Sequence, residues 1–443
     1  MRDYNLSGYD IFDINYLVSH KNFNSIRSLY YSDSIWRLFR SICTFLLTII
    51  SYVLFKNFGV SKLPKVKYAF FGATSNNIRA LQPVMRNLQN AFLYKKEILP
   101  YGLTALYSLR YVLVIISLYK KNNGYIKKSI ASDFSSYCLA CAYITIGKLI
   151  LYKVEPKVSI FANDHGYPYR ALFRIAQNNG IKTVYMQHAS VSENFPPLEY
   201  DYAFLDGMES FEKYLKDKTC KAKVFLSGPS RFDLKRQVNK DVQYSNDIKK
   251  VGIAINEFDN KDKVIELIYQ LRSIGNFEYS IRPHPRQNQY TWQKISKKLG
   301  CKFSFANKED PLTFISTKDI FIAGESSFHL DVAIMGKYSF YYNFTNSATF
   351  DNYGYLKNKL VMDITEIAIC KIADLLNSNI FNDRDSLIKY YVANYKTHFW
   401  GKASEVISLT ISNLTDKGQI PPFWIEKEKS GIHYFELVEK NGI

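Results

Sequence analysis

The hydrophobic positions of this chain fall into short apolar runs that alternate with stretches of helical spacing. Runs rich in β-branched and aromatic residues, bounded by Gly, Pro, Asn or Asp, predict strands. Residues 67–73, Lys-Tyr-Ala-Phe-Phe-Gly-Ala, predict a first strand ending in a glycine turn. Residues 158–162 predict another, ending at Asn163-Asp164-His165-Gly166, and a helix follows through Arg170, Leu172, Ile175 and Ala176, closed by Asn179-Gly180. Strands over 183–186, 201–205 and 223–226 end at Gln187-His188-Ala189, Asp206-Gly207 and Ser227-Gly228-Pro229. The charged stretch 230–249 loses the pattern and reads as a linker. A second series then runs strand 251–256, helix 261–274, strand 277–281, helix 290–299, strands 302–305 and 319–323, helix 328–335 and strand 338–342; beyond Asp363 the spacing is mostly helical. Short strands alternating with helices predict doubly wound parallel sheets, so the chain divides into an N-terminal α/β domain (1–229), the linker, a second α/β domain (250–365) and a helical C-terminal region (366–443).

Two apolar runs stand outside this alternation. Residues 42–55 are flanked by Arg37, Arg40 and Lys56 and are shorter than the ~20 residues that cross a bilayer, which predicts a buried helix or an in-plane membrane contact. Residues 103–119 carry Arg110 mid-run and predict a packed helix with one polar side. The basic cluster Lys120, Lys121, Lys127 and Lys128 adds a route to anionic lipid, the alternative being a solvated basic face.

Composition bounds the function classes. Of 443 residues, 58 are Lys or Arg and 40 Asp or Glu, a net charge of +18, which points to anionic substrates, an anionic membrane surface or nucleic acid. No zinc finger, basic repeat or RNA-binding signature supports nucleic acid. Cys138 and Cys141 lie in an apolar, helix-like run with no second pair to complete a metal site, so they read as buried thiols of a reducing cytoplasm. Residues 1–16 are too polar for a cleavable signal peptide.

The candidate chemistry lies at strand ends, since ligands of open α/β sheets bind past the carboxyl ends of the strands. In the second domain these are Arg282-Pro283-His284-Pro285 and Gly324-Glu325-Ser326-Ser327. They supply fixed donors, two hydroxyls and a helix start, a cradle for phosphate and ribose. The plainer alternative is an ordinary turn at His284 and a capping role for Ser326. In the first domain the strand ends offer Asp164, His165 and His188 as proton acceptors, with Asp164 the first choice for base or nucleophile. No Asp-x-Asp or His/Cys cluster marks a metal site, so no cofactor is expected.

The order His284-Pro285 then Ser326-Ser327 resembles the HP and Ser-Ser motifs of GT-B fold glycosyltransferases that make bacterial capsule and lipopolysaccharide sugars, the CMP-sugar sialyl- and Kdo-transferases above all. The first-domain pieces Asn163-Asp164-His165-Gly166 and Gln187 through Leu198 resemble capsule-biosynthesis transferases of the same kind, and the likeness covers roughly residues 155–360. It implies two Rossmann-like domains facing a cleft, with helical N- and C-terminal extensions. It implies a donor nucleotide sugar on Arg282, His284, Pro285, Gly324, Glu325, Ser326 and Ser327, and a lipid-linked or oligosaccharide acceptor on the first domain. Where sialyltransferases carry two acids before a Gly, this chain has Leu205-Asp206-Gly207, with one. A teichoic-acid-type CDP-alditol phosphotransferase, a UDP-sugar epimerase and a non-enzymatic assembly scaffold share enough of this pattern to stand as alternatives. The expected location is the cytoplasm, at the inner face of the membrane.

Overall fold

A computed structural model describes residues 6–21, 31–60, 62–163, 165–216, 220–233, 250–273, 277–345, 351–367, 371 and 384–438. The first domain contributes β1 (Tyr68–Gly72), β2 (Ala91–Lys95), β3 (Val158–Phe161), β4 (Lys182–Met186), β5 (Tyr202–Leu205) and β6 (Lys223–Leu226). The second contributes β7 (Lys250–Ile255), β8 (Glu278–Pro283), β9 (Lys302–Phe303), β10 (Ile320–Ala323), β11 (Tyr338–Tyr341) and β12 (Met362–Asp363). A hairpin, β13 (Trp424–Lys429) and β14 (Ile432–Leu437), closes the chain.

The central strands are continuous apolar runs because helices cover both of their faces; every residue of β1, β3 and β10 is buried. The first sheet has the order β2-β1-β3-β4-β5-β6-β14-β13, parallel except within the hairpin. The second has the order β9-β8-β7-β10-β11-β12, parallel in every described pair. Order therefore reverses between β1 and β3 in one domain and between β7 and β10 in the other, and each reversal opens a crevice at the strands' carboxyl ends. This is the doubly wound pair of domains that the alternation predicts.

Three features differ from the sequence reading. Strand β2 is absent from it, because Ala91–Lys95 is an edge strand with only Leu93 and Tyr94 buried, and its apolar run is short. The run at 103–119 is two helices, Tyr101–Ser108 and Val112–Lys121, joined by a single 3-10 turn at Leu109–Tyr111 that contains Arg110. The final region is helical at Arg384–Tyr391 and Ala403–Asp416 but ends in the hairpin, whose β14 pairs with β6. Trp424–Lys429 buries only Trp424 and exposes Ile425 and the charged run from Glu426 to Glu428, as the outermost strand of the sheet, so its polar run does not read as a strand from the sequence. The linker is described only as far as Asp233, whose carboxylate accepts N–H from Ala403 and Ser404 and caps helix Ala403–Asp416.

The chain thus crosses back from the second domain to the first. At the crossing, Ala393 N donates to Asp206 O (2.7 Å), and Gly207 and Gly228, after β5 and β6, lie flush against the Tyr391 backbone and the Asn394 side chain. A Cβ at Gly207 would overlap backbone atoms that no rotamer change can move. Gly207→Ala is therefore expected to destabilise by roughly 1–3 kcal/mol, the usual cost of overpacking. Urea denaturation of the variant checks this; a midpoint within error of the wild type would show that the crossing segment yields.

Candidate active site

The second-domain site is built by three loops that follow adjacent strands. Asn256 follows β7, and its Nδ2 donates to the Glu325 carbonyl after β10. Its own carbonyl accepts from Gln287 Nε2 (2.8 Å) in the loop after β8. Arg286 Nη1 pairs with Glu257 Oε2 at 3.0 Å across the same gap. The HP loop and the Ser-Ser loop are therefore fastened to each other through the loop between them. Asp259 completes the turn by accepting Asn256 N–H (2.7 Å), and a Cβ on Gly324 would come within 2.9 Å of its Oδ1, so the glycine allows the close approach. Burial pushes the Asp259 carboxyl up to about 6. His329 is buried, and its Nε2–H donates to the Gly324 carbonyl (3.0 Å) while Nδ1 meets Ser339 Oγ (2.9 Å). Desolvation lowers its pKa to about 4, so it acts as a neutral prop for the turn.

The predicted donor residues divide. His284 is half-buried at the mouth, with Nδ1 accepting Arg286 N–H (3.3 Å) and burial lowering its pKa. Pro285 beside it is exposed. Ser326 Oγ accepts Phe328 N–H (3.3 Å), so the capping alternative describes part of its role, while Ser327 and Gly324 complete the turn. Arg282 does not face a ligand. Its guanidinium is buried and spends its donors on Ser304 Oγ (2.7 Å) and Glu309 O (2.8 Å), tying the segment after β9 to β8. It lies near the carboxyl end of β8, buried like its neighbours on both faces of the strand. Glu325 is largely buried, with one carboxylate oxygen lacking a hydrogen-bond partner and with backbone N–H of Asn352 and Tyr353 directed at the group. Burial first, then the neighbouring Asp351, pushes it up to about 7.

Across the boundary, the first-domain strand ends bring His165 and His188 into electrostatic contact. Asp164 lies outside the described residues. The His165 ring packs on Phe195 of the 187–198 loop at 5.4 Å. His188 donates to the Ala162 carbonyl, and its buried Nδ1 has no hydrogen-bond partner. Desolvation, then His165 and Arg231, pushes its pKa down to about 3, so the ring is neutral at every physiological pH. Arg231 pairs with buried Asp206 at 2.8 Å, and burial raises the Asp206 carboxyl despite this partner. Arg231 and Arg79 of the first domain also interact with Asp331, on the helix that Ser327 opens. The sequence reading did not single out Asn256, Asp259, Arg231 or Asp331. A polar cluster directly after the first strand of the second domain was the available signal for the first two.

The domains touch through Ser190 and Tyr355, whose hydroxyls share a buried hydrogen bond, and through Lys213 Nζ, which donates to Val191 O (2.7 Å) and Asn352 O (3.1 Å). A cavity of about 700 Å³ lies beside this contact, lined by Glu209, Glu212, Lys216, Asn352, Lys357 and Tyr390 among others. No group of three or more His, Cys, Asp or Glu among the described residues is arranged to hold a metal ion.

No protein-family model matches the sequence, and no curated protein matches it. Solved structures do. A protein assigned as a UDP-N-acetylglucosamine 2-epimerase, from Listeria monocytogenes, aligns over 81% of this chain and 99% of its own at 13% identity and TM-score 0.51. The UDP-GlcNAc 2-epimerase of Neisseria meningitidis aligns over 78% and 99% at 14% identity and TM-score 0.48, and the wall teichoic acid polymerase TagF over 86% and 98% at 11% and 0.42. The first of these matches supports the GT-B arrangement of two Rossmann-like domains over most of the chain. At such identity it carries the fold alone.

Glu325 gives a pH-dependent test of the site's burial. The unfolded chain releases this proton near pH 4.5, the folded protein near 7. Between the two, the folded state holds more protons, so its stability falls as pH rises. The contribution is full below about 4.5 and lost by about 7; with partial exposure discounted it is roughly 1–2 kcal/mol. Glu325→Gln, which mimics the protonated form, is expected to be more stable than the wild type at pH 8 and equal to it at pH 4.5. Parallel pH–stability curves for the two proteins would contradict this.

Proposed function

We propose that this protein is a metal-independent glycosyltransferase that moves a sugar from a nucleotide donor, a CMP-sugar by preference, onto a growing bacterial capsule or lipopolysaccharide chain. The observation that carries the reading is the convergence of carboxyl-end loops. Asn256 fastens the His284 and Ser326 loops into one donor-side rim, and Asp331, on the helix after Ser327, interacts with Arg231, which in turn acts on His188 of the first domain. Departure of the nucleotide leaves charge on phosphate, which His284, the Ser326 and Ser327 hydroxyls and the Gly324 turn are placed to bind. Glu325 suits a ribose or base edge. The acceptor, lipid-linked or oligosaccharide, takes the first-domain side. Neutral His188 has too low a proton affinity to drive deprotonation and serves to accept the acceptor's O–H hydrogen bond, leaving Asp164 as base or nucleophile. A CMP-sugar has a single phosphate, which needs less neutralisation than a diphosphate. The enzyme works in the cytoplasm, against the inner face of the membrane.

A thermal-shift panel of CMP, CDP, UDP and GDP compounds tests the donor class, because a ligand bound only by the folded state raises Tm. His284→Ala and Ser326→Ala are expected to keep the apo Tm and weaken donor use by roughly 1.5–3 kcal/mol, about tenfold or more. Wild-type turnover of both variants at limiting donor would remove the donor site from this rim.

Asp164→Asn is expected to abolish turnover while nucleotide binding stays intact, since the amide keeps the shape but takes no proton. Turnover above about a tenth of wild type, a barrier change under ~1.4 kcal/mol, would move the role to His165 or His188.

A further inference from the structure

Helix Ile35–Phe55 buries one narrow stripe against the first domain: Leu38, Ser41, Phe45 and Ile49. Ser41 Oγ accepts Phe134 N–H (2.9 Å) and the Phe45 ring packs on Phe134. The opposite stripe is also apolar. Trp36 is 76% exposed, Phe39 57%, Leu47 67%, Ile50 55% and Leu54 67%, at helical spacing along one face. Thr44 and Thr48 on this helix bond back to the Arg40 and Thr44 carbonyls, so their hydroxyls are satisfied internally. Monomeric soluble proteins rarely leave so long an apolar stripe in water.

The charge around this face says what covers it. Residues 34–132 hold 15 Lys and Arg against one acid, Glu97, so this segment carries +14 of the chain's +18. Arg37 and Arg40 stand near the helix start and Lys56 caps its end. Its neighbour runs antiparallel beside it: Gly102 N bonds Asn57 O at one end, and the Tyr119 hydroxyl bonds Asp33 O at the other. That neighbour exposes its own apolar positions Leu109 and Leu113 next to Arg110.

We propose that helix Ile35–Phe55 lies in the plane of an anionic bilayer, with the stripe Trp36, Phe39, Leu47, Ile50 and Leu54 sunk into one leaflet. The helix has the length and apolarity to cross a membrane. Its buried stripe, however, is fastened to the domain from Leu38 to Ile49, which keeps the helix axis along the domain surface. The proposal deepens the membrane part of the functional reading. It makes the contact one of hydrophobic insertion that basic residues strengthen at the headgroups.

The test uses the full chain and vesicles of phosphatidylcholine alone or mixed with phosphatidylglycerol. Binding is expected to be stronger to the mixed vesicles and to survive ~1 M NaCl, where the Debye length is about 3 Å. Acyl-brominated lipid is expected to quench fluorescence in the wild type and much less in Trp36→Phe. The double variant Leu47→Glu, Ile50→Glu changes only exposed positions and is expected to keep Tm and nucleotide binding while partitioning at least about tenfold less. Complete release by salt, equal quenching in Trp36→Phe, or unchanged partitioning of the double variant overturns the proposal. So does a dimer, by light scattering, that the double variant dissolves without any vesicle binding by the wild type. Nucleotide thermal shifts on the same samples fail or succeed independently, so loss of the donor reading is not mistaken for loss of this one.

Discussion

The arrangement of the two domains depends on the return of the chain from the second to the first. Packing is close there: Ala393 N bonds Asp206 O, Gly207 lies against the Tyr391 backbone and Gly228 against the Asn394 side chain. Helix Ala403–Asp416, capped by Asp233, and strand β14, paired with β6, then anchor the C-terminal segment to the first sheet. The connection is thus made twice, by the segment after β6 and by this return.

Polarity and burial are distributed unevenly across that cleft. The donor-side rim is held by amide–carbonyl bonds through Asn256, which hold whatever the protonation state of the site. On the other side, Asp206, Arg231 and His188 are poorly solvated, and burial is the largest influence on the proton affinity of each. Desolvated charges respond strongly to a bound phosphate, so the first-domain wall is electrostatically soft and the donor-side rim rigid.

Most of the fold was legible because buried parallel strands read as continuous apolar runs: ten of the first twelve strands begin within two residues of where the runs place them, and the two missed, β2 and β12, are edge strands. Edges were the hard cases. Strand β2 is half-exposed, and the outermost strand β13 is charged and exposed over most of its length. The site was legible as strand ends, not as side-chain directions. Arg282 lies in a motif that suggests ligand contact, yet it turns inward to Ser304 and Glu309. Asn256 lies at the end of an ordinary strand, yet it links three loops. Which residue of a strand end faces the crevice depends on pleat and register, and register is set by partners distant in sequence.

Helix Ile35–Phe55 shows the same limit from the other side. Its two faces have nearly the same apolar content, so periodicity cannot say which one meets the protein. Packing decides: the smaller Ser41 and the rings of Phe45 and Phe134 take the inner face, leaving Trp36, Leu47 and Leu54 outside. A helix with two apolar faces, separated on one side by a polar stripe of Arg37, Arg40, Thr44, Thr48 and Ser51 and tied along one of them, has satisfied part of its hydrophobic surface and not the rest. The basic excess of the surrounding segment makes an anionic apolar phase the environment in which both the exposed stripe and the charge are stabilised together.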